Sequence, residues 1–146
     1  MERYEANIDY QIVHISRSNE PLSMKEDNDG EGVSLVFLPY ILLDAKNKTA
    51  TTVLTSQFYG KDENPITNEL IVHITYKFSN ELPVVQDGDD KIKIVNNKDL
   101  FSIFDTSVGS FRGILFEWLE DSCLQHPLPI VNMGKFLKGL KYSFSK

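Results

Sequence analysis

The chain has 146 residues, 41% of them hydrophobic and 25% charged, with a formal net charge of −6. That size and balance describe one domain able to bury a core, and they exclude a disordered chain. The negative charge argues against nucleic acid, which needs a clustered basic face, and one cysteine, Cys123, excludes an internal disulfide.

Met1 to Glu5 is charged and has no apolar region of the kind that makes a signal peptide. The longest apolar run, Val33 to Leu43, is interrupted by Pro39 and falls short of the roughly 20 residues that span a bilayer. A soluble, cytoplasmic protein without membrane insertion is therefore expected.

Tyr4, Ala6, Ile8, Tyr10 and Ile12 alternate with polar residues, the period of a strand with one wet face. Residues 16–32 are polar and turn-rich and read as a long mobile surface loop. Val33 to Asp44 is apolar on both parities, so this strand is covered on both faces, with a bulge or an edge position at Pro39. Turns at Asp44–Lys48 and Gly60–Pro65 bound a third strand, Thr51 to Tyr59, and the fourth runs from Leu70 to Phe78. These short connections require antiparallel hairpins. Beyond the acidic turn Asp87-Gly88-Asp89-Asp90, Ile92, Ile94 and Val95 are candidates for a short fifth strand.

The period then changes to 3.6. Leu100, Phe104, Val108, Phe111, Leu115 and Trp118 form one helical stripe, capped by Asn97 or Asp99. After His126-Pro127-Leu128-Pro129, Asn132 caps a short helix whose Met133, Phe136, Leu137 and Leu140 share a face. The expected fold is α+β: a four-stranded antiparallel sheet with a long and a short helix packed on one face, in one domain over residues 1–146.

Beside the apolar stripe, Ser102, Thr106, Gly109, Ser110 and Gly113 form a stripe of small residues. Helical glycine costs about 1 kcal/mol against alanine, so something is expected to pack close there, either the chain's own sheet or a second subunit. One helical layer covers only one face of a sheet. Phe37, Tyr40, Leu42, Phe58, Tyr76 and Phe78 are the candidates for an apolar binding surface on the other.

Catalytic and metal patterns are weak. His14, His73 and His126 lie in different elements, and neither HExxH nor CxxC occurs. Cys123 and His126, at i and i+3 near a helix end, read as a coincidence of spacing, since a cysteine nucleophile needs an activating pocket. Gly109 and Gly113 fall inside a helix and cannot form a phosphate loop. Asp87, Asp89 and Asp90 lack the ligand pattern of a calcium loop. The terminal lysines Lys135, Lys138, Lys141 and Lys146 are ordinary companions of a helix end. The chain reads as a binding protein, with no enzyme activity, catalytic residue, metal or cofactor expected.

The order of elements, the segments Leu100–Phe104 and Ser107–Leu115, and Leu128-Pro129-Ile130-Val131-Asn132 running into Met133–Leu137 resemble the SecB family of export chaperones. The resemblance implies an ATP-independent holdase for unfolded or partly folded polypeptides, serving protein export. It also implies a homo-oligomer, tetramer or dimer, whose long helices are sandwiched between sheets, with the small-residue stripe at the interface. Proteins of that family that work with the motor SecA carry an acidic tail, whereas residues 141–146 are basic, which counts against SecA as partner. Other SecB-like proteins hold the antitoxin of a toxin–antitoxin system, so a dedicated chaperone or adaptor for one partner is the alternative.

Overall fold

The structure is a computed structural model that describes residues 9–24, 33–120 and 133–145. The fold is α+β, and the sheet has five strands where four were expected. They are β1 (Tyr10–Arg17), β2 (Ser34–Asp44), β3 (Thr49–Tyr59), β4 (Leu70–Phe78) and, after the helices, β7 (Lys141–Phe144), in the order β1-β4-β3-β2-β7. The β2, β3 and β4 hairpins are antiparallel, as the short turns require, and β1 pairs antiparallel with β4. The fifth strand is parallel to β2 and pairs Tyr40–Leu43 with Lys141–Phe144, which makes the sheet mixed. Ile92 and Ile94 do form a strand, but in a separate hairpin: β5 (Val84–Gln86) with β6 (Ile92–Ile94), the acidic turn at its tip.

Two boundaries differ from the sequence reading. The first strand starts at Tyr10 and runs to Arg17; the earlier part of the alternation, Tyr4 to Ile8, lies outside the described residues. Residues 18–24 of the expected mobile loop are tied down. Ser18 exchanges hydrogen bonds with Ile71, Ser23 and Pro21 both bond Asn68, and Met24 bridges to Thr67. Pro39 causes no bulge, since β2 and β3 stay in register through Pro39↔Leu54. Instead β7 begins opposite Tyr40, so the residue without an N–H sits where the outer edge of β2 is open among the described residues.

Helix α1 (Asn97–Trp118) is capped one residue earlier than expected. Asn96 Oδ1 accepts from the Asp99 N–H at 3.0 Å, and Asn96 Nδ2 donates to Asp99 Oδ2 at 3.0 Å. All six residues of its apolar stripe are buried, joined by Ile103 and Ser107. They pack on one sheet face, made by Ile41 and Leu43 of β2, Leu54 and Phe58 of β3, and Leu70, Val72, Ile74, Tyr76 and Phe78 of β4. Helix α2 (Met133–Lys138) lies alongside. Its Phe136 stacks on Phe37 with centroids 5.2 Å apart and meets Phe104 edge-on at 6.3 Å, while Phe37 also packs against Phe111 at 4.8 Å. The cap expected from Asn132 lies outside the described residues. No described helix is long and apolar enough to cross a membrane.

A buried hydroxyl cluster fixes α1 on the sheet. Ser107 Oγ lies 2.6 Å from Thr52 Oγ1 and 2.7 Å from the Tyr76 hydroxyl, which donates to the Ile103 carbonyl at 3.0 Å. At the two ends of the helix, the Tyr10 hydroxyl bonds Ser102 Oγ, and Trp118 Nε1 donates to the Glu20 carbonyl at 3.1 Å. Unpaired buried hydroxyls are costly, so these bonds define one seating of the helix. Ser107→Ala is expected to cost about 1–3 kcal/mol in denaturant unfolding, against about 0.5 kcal/mol or less for the half-buried Ser110→Ala.

Burial pushes the Tyr76 phenol up to about 12 from its ordinary value near 10. An acid with a raised folded-state pKa stabilises the fold fully below its unfolded pKa and loses that contribution as pH rises through the folded value. Stability is expected to fall between pH 10 and about 12, and Tyr76→Phe to flatten that part of the Tm–pH curve.

Candidate functional site

Alternation along the strands divides the candidate residues between two faces. Residues paired across antiparallel strands point to the same side. Phe58, Tyr76 and Phe78, at 0%, 1% and 2% exposure, share the parity of Leu54, Val72 and Ile74 and are buried under α1. Phe37 pairs with Ser56 on that same face and is enclosed by Phe111 and Phe136. These four residues therefore belong to the helix-covered face rather than to an open groove. Only Tyr40 and Leu42 lie on the other face.

That outer face can be built row by row from the strand register. Leu42, Thr51, Thr75 and His14 form one row, and Tyr40, Val53, His73 and Ser16 the next. Leu38, Thr55 and Ile71 follow, then Val36 and Gln57. A 2.8 Å bond between Thr51 Oγ1 and Thr75 Oγ1 shows the side chains standing together. Val36, Leu38 and Leu42 are 37%, 57% and 38% exposed, whereas on the opposite parity of β2 Pro39, Ile41 and Leu43 are buried and Leu35 and Phe37 partly so. None of these paired residues is a carboxylate; acids stand at the two ends, Asp44 one row beyond Leu42, level with Thr49, Lys77 and Gln11, and exposed Glu69 just ahead of β4. The surface is thus apolar along β2 and grades into threonines and histidines toward β1. No helix among the described residues covers it.

Two candidate groups resolve differently from their sequence reading. Ser102 and Ser110 of α1 are half-buried, while Thr106, Gly109 and Gly113 are exposed. A Cβ built at Gly109 or Gly113 meets nothing within 4 Å, so no packing against the chain's own sheet accounts for these glycines. Phe116, on the same outward side, is 69% exposed. The histidines are not all apart either: His14 and His73 sit in adjacent rows of neighbouring strands. Cys123 and His126 lie outside the described residues, among which no three His, Cys, Asp or Glu side chains gather to hold a metal ion.

A second depression lies beside the start of α1, where Asp9, Asn80, Glu81, Asn96 and Asp99 surround Phe78, Leu82 and Val95. Its rim is acidic and it is separate from the outer sheet face.

The two-face division predicts opposite outcomes for similar truncations. Phe58→Ala should cost about 3–5 kcal/mol in chemical unfolding, because it empties the core. Leu38→Ala should change stability by about 0.5 kcal/mol or less, because its side chain is largely in water.

No known protein family and no curated protein matches the sequence. The fold does match a solved structure, the SecB-like chaperone Rv1957 of Mycobacterium tuberculosis in complex with a ChAD peptide from the Rv1956 HigA1 antitoxin. The TM-score is 0.53 at 9% sequence identity, over 84% of this chain and 90% of that one. The chain therefore has a SecB-like fold.

Proposed function

We propose that this protein is an ATP-independent holdase chaperone that binds unfolded or partly folded polypeptides on the outer face of its sheet. The observation that carries the reading is the row of exposed Val36, Leu38 and Leu42, with Tyr40 between them, on a strand whose other side packs against the core. An apolar surface whose paired rows hold no carboxylate and carry threonine hydroxyls suits extended segments of varied sequence. The edge of β2 ahead of β7, open among the described residues, adds main-chain donors and acceptors. The SecB-like fold supports the same class of activity.

The working form in this proposal is a homo-oligomer, a dimer or tetramer, assembled through the flank of α1 that carries Ser102, Thr106, Gly109, Ser110 and Gly113. Exposed glycines with no neighbour among the described residues support that assignment. Protein export is the role the family resemblance attaches to such clients. A dedicated chaperone for one partner, such as an antitoxin, is the second reading. It is favoured by the similar fold of a chaperone solved with an antitoxin peptide.

Three measurements test these readings. Leu38→Asp with Leu42→Asp should abolish suppression of aggregation of a chemically unfolded client while leaving Tm unchanged; full activity in the folded double variant would refute the surface. In a monomer, Gly109→Ala and Gly113→Ala would each stabilise the helix by about 0.5–1 kcal/mol. At a close subunit contact the same methyl groups should lower the mass seen by light scattering. Co-purification then separates the two readings of the client: many precursors for the general holdase, one stoichiometric protein for the dedicated chaperone.

A further inference from the structure

The β1–β4 pair holds a feature that the chaperone reading does not use. Along β1, Tyr10 pairs with Phe78 and Ile12 with Tyr76, so even-numbered residues begin on the face toward α1. The register then shifts between Ile12 and His14, with Val13 as the extra residue of a β-bulge. The parity reverses. Ile15 pairs with Ile74 on the helix side, while His14 pairs with Thr75 and Ser16 with His73 on the outer face. Without the bulge, residue 14 would follow Tyr10 and Ile12 to the helix side. Bulges of this kind re-aim a side chain next to a site.

The outcome is a diagonal pair of imidazoles on one open face, two residues apart in register. Diagonal cross-strand neighbours have Cβ atoms about 7 Å apart, close enough for two histidine rings to converge on an ion that bonds nitrogen at about 2.1 Å. His14 is exposed and His73 half-buried, and neither ring makes a hydrogen bond within the described structure. The ring nitrogens are therefore available as ligands. Ser16 and Thr75 flank them, Val53 stands beside His73, and the nearest lysine in the register, Lys77, lies one row further along opposite Gln11.

We infer that His14 and His73 form a two-histidine chelate for a divalent transition-metal ion, Zn2+, Ni2+ or Cu2+, that clasps the edge strand β1 to β4. Imidazole nitrogen selects these ions over Mg2+ and Ca2+, which prefer oxygen. Two protein ligands leave the remaining coordination positions to water. The clasp has a mechanical consequence as well. Among the described residues strand β1 is an edge of the sheet, bonded to β4 alone, with Ile12, Val13 and Ile15 exposed at 42%, 48% and 51%. Metal bound across the pair links that edge to a central strand and slows its fraying.

The test is a titration of the metal-free full chain with Zn2+ by calorimetry and by NMR of the histidine ring protons, with Mg2+ as the control ion. One saturable site per chain is expected, with the His14 and His73 rings shifting together. His14→Ala and His73→Ala should each weaken binding about tenfold or more, His126→Ala should leave it unchanged, and amide exchange in β1 should slow when Zn2+ is bound. The inference is overturned if either single variant, still folded by circular dichroism, binds Zn2+ as the parent does. It is equally overturned if His126→Ala removes the binding, or if no saturable site is found. None of these readouts depends on chaperone activity.

Discussion

The arrangement depends on a constraint of geometry: one long helix can close only one face of a broad sheet. Strands β3 and β4 alternate strictly, with Leu54, Phe58, Val72, Ile74 and Tyr76 on the side that α1 covers. Within that apolar contact the Thr52, Ser107 and Tyr76 hydroxyls satisfy one another. Sliding the helix by a turn would separate these hydroxyls without water to replace their bonds, so the contact is specific as well as favourable. The aromatic group of Phe37, Phe104, Phe111 and Phe136 continues the same layer under α2. Once this layer is filled, every side chain of opposite parity is left facing outward.

Outward-facing strand residues are usually polar. On β3 and β4 most are, as Thr51, Thr55, Gln57, Thr75 and Lys77 show. On β2 they are Val36, Leu38, Tyr40 and Leu42. That local departure from the expected pattern is a surface whose burial is favourable but not supplied by the described chain. The proposed binding role draws on it, because an extended apolar segment can cover the row at many registers, each contact contributing a little. The exposed flank of α1 with Gly109, Gly113 and Phe116 is a second such departure, on the opposite side of the molecule's layered core.

Much of this was legible in the residues, for identifiable reasons. The β2, β3 and β4 hairpins follow from local turns, and the buried stripe of α1 from its 3.6-residue period. The two-sided apolar character of β2 was visible as well. The candidate surface was harder to read. Phe58, Tyr76 and Phe78 were singled out by side-chain type, whereas their parity with Leu54, Val72 and Ile74 places them in the core. Strand β7 is only Lys141–Phe144, and its partner is a parallel strand about a hundred residues earlier, a pairing that no local pattern announces. The proximity of His14 and His73 was hidden by the bulge at Val13, which breaks the period on which the strand was recognised.

The central claim is that polypeptide clients lie on the outer face of β2 and β3. Amide and side-chain NMR of the chain, with and without an unfolded client, tests it most directly. The account predicts that perturbations concentrate at Val36, Leu38, Tyr40, Leu42, Val53 and Thr55, while the Ser107 and Tyr76 signals under α1 stay in place. Perturbations confined to the acidic depression around Asp9, Glu81 and Asp99, or no perturbation at all by a client that aggregates without the protein, would contradict it.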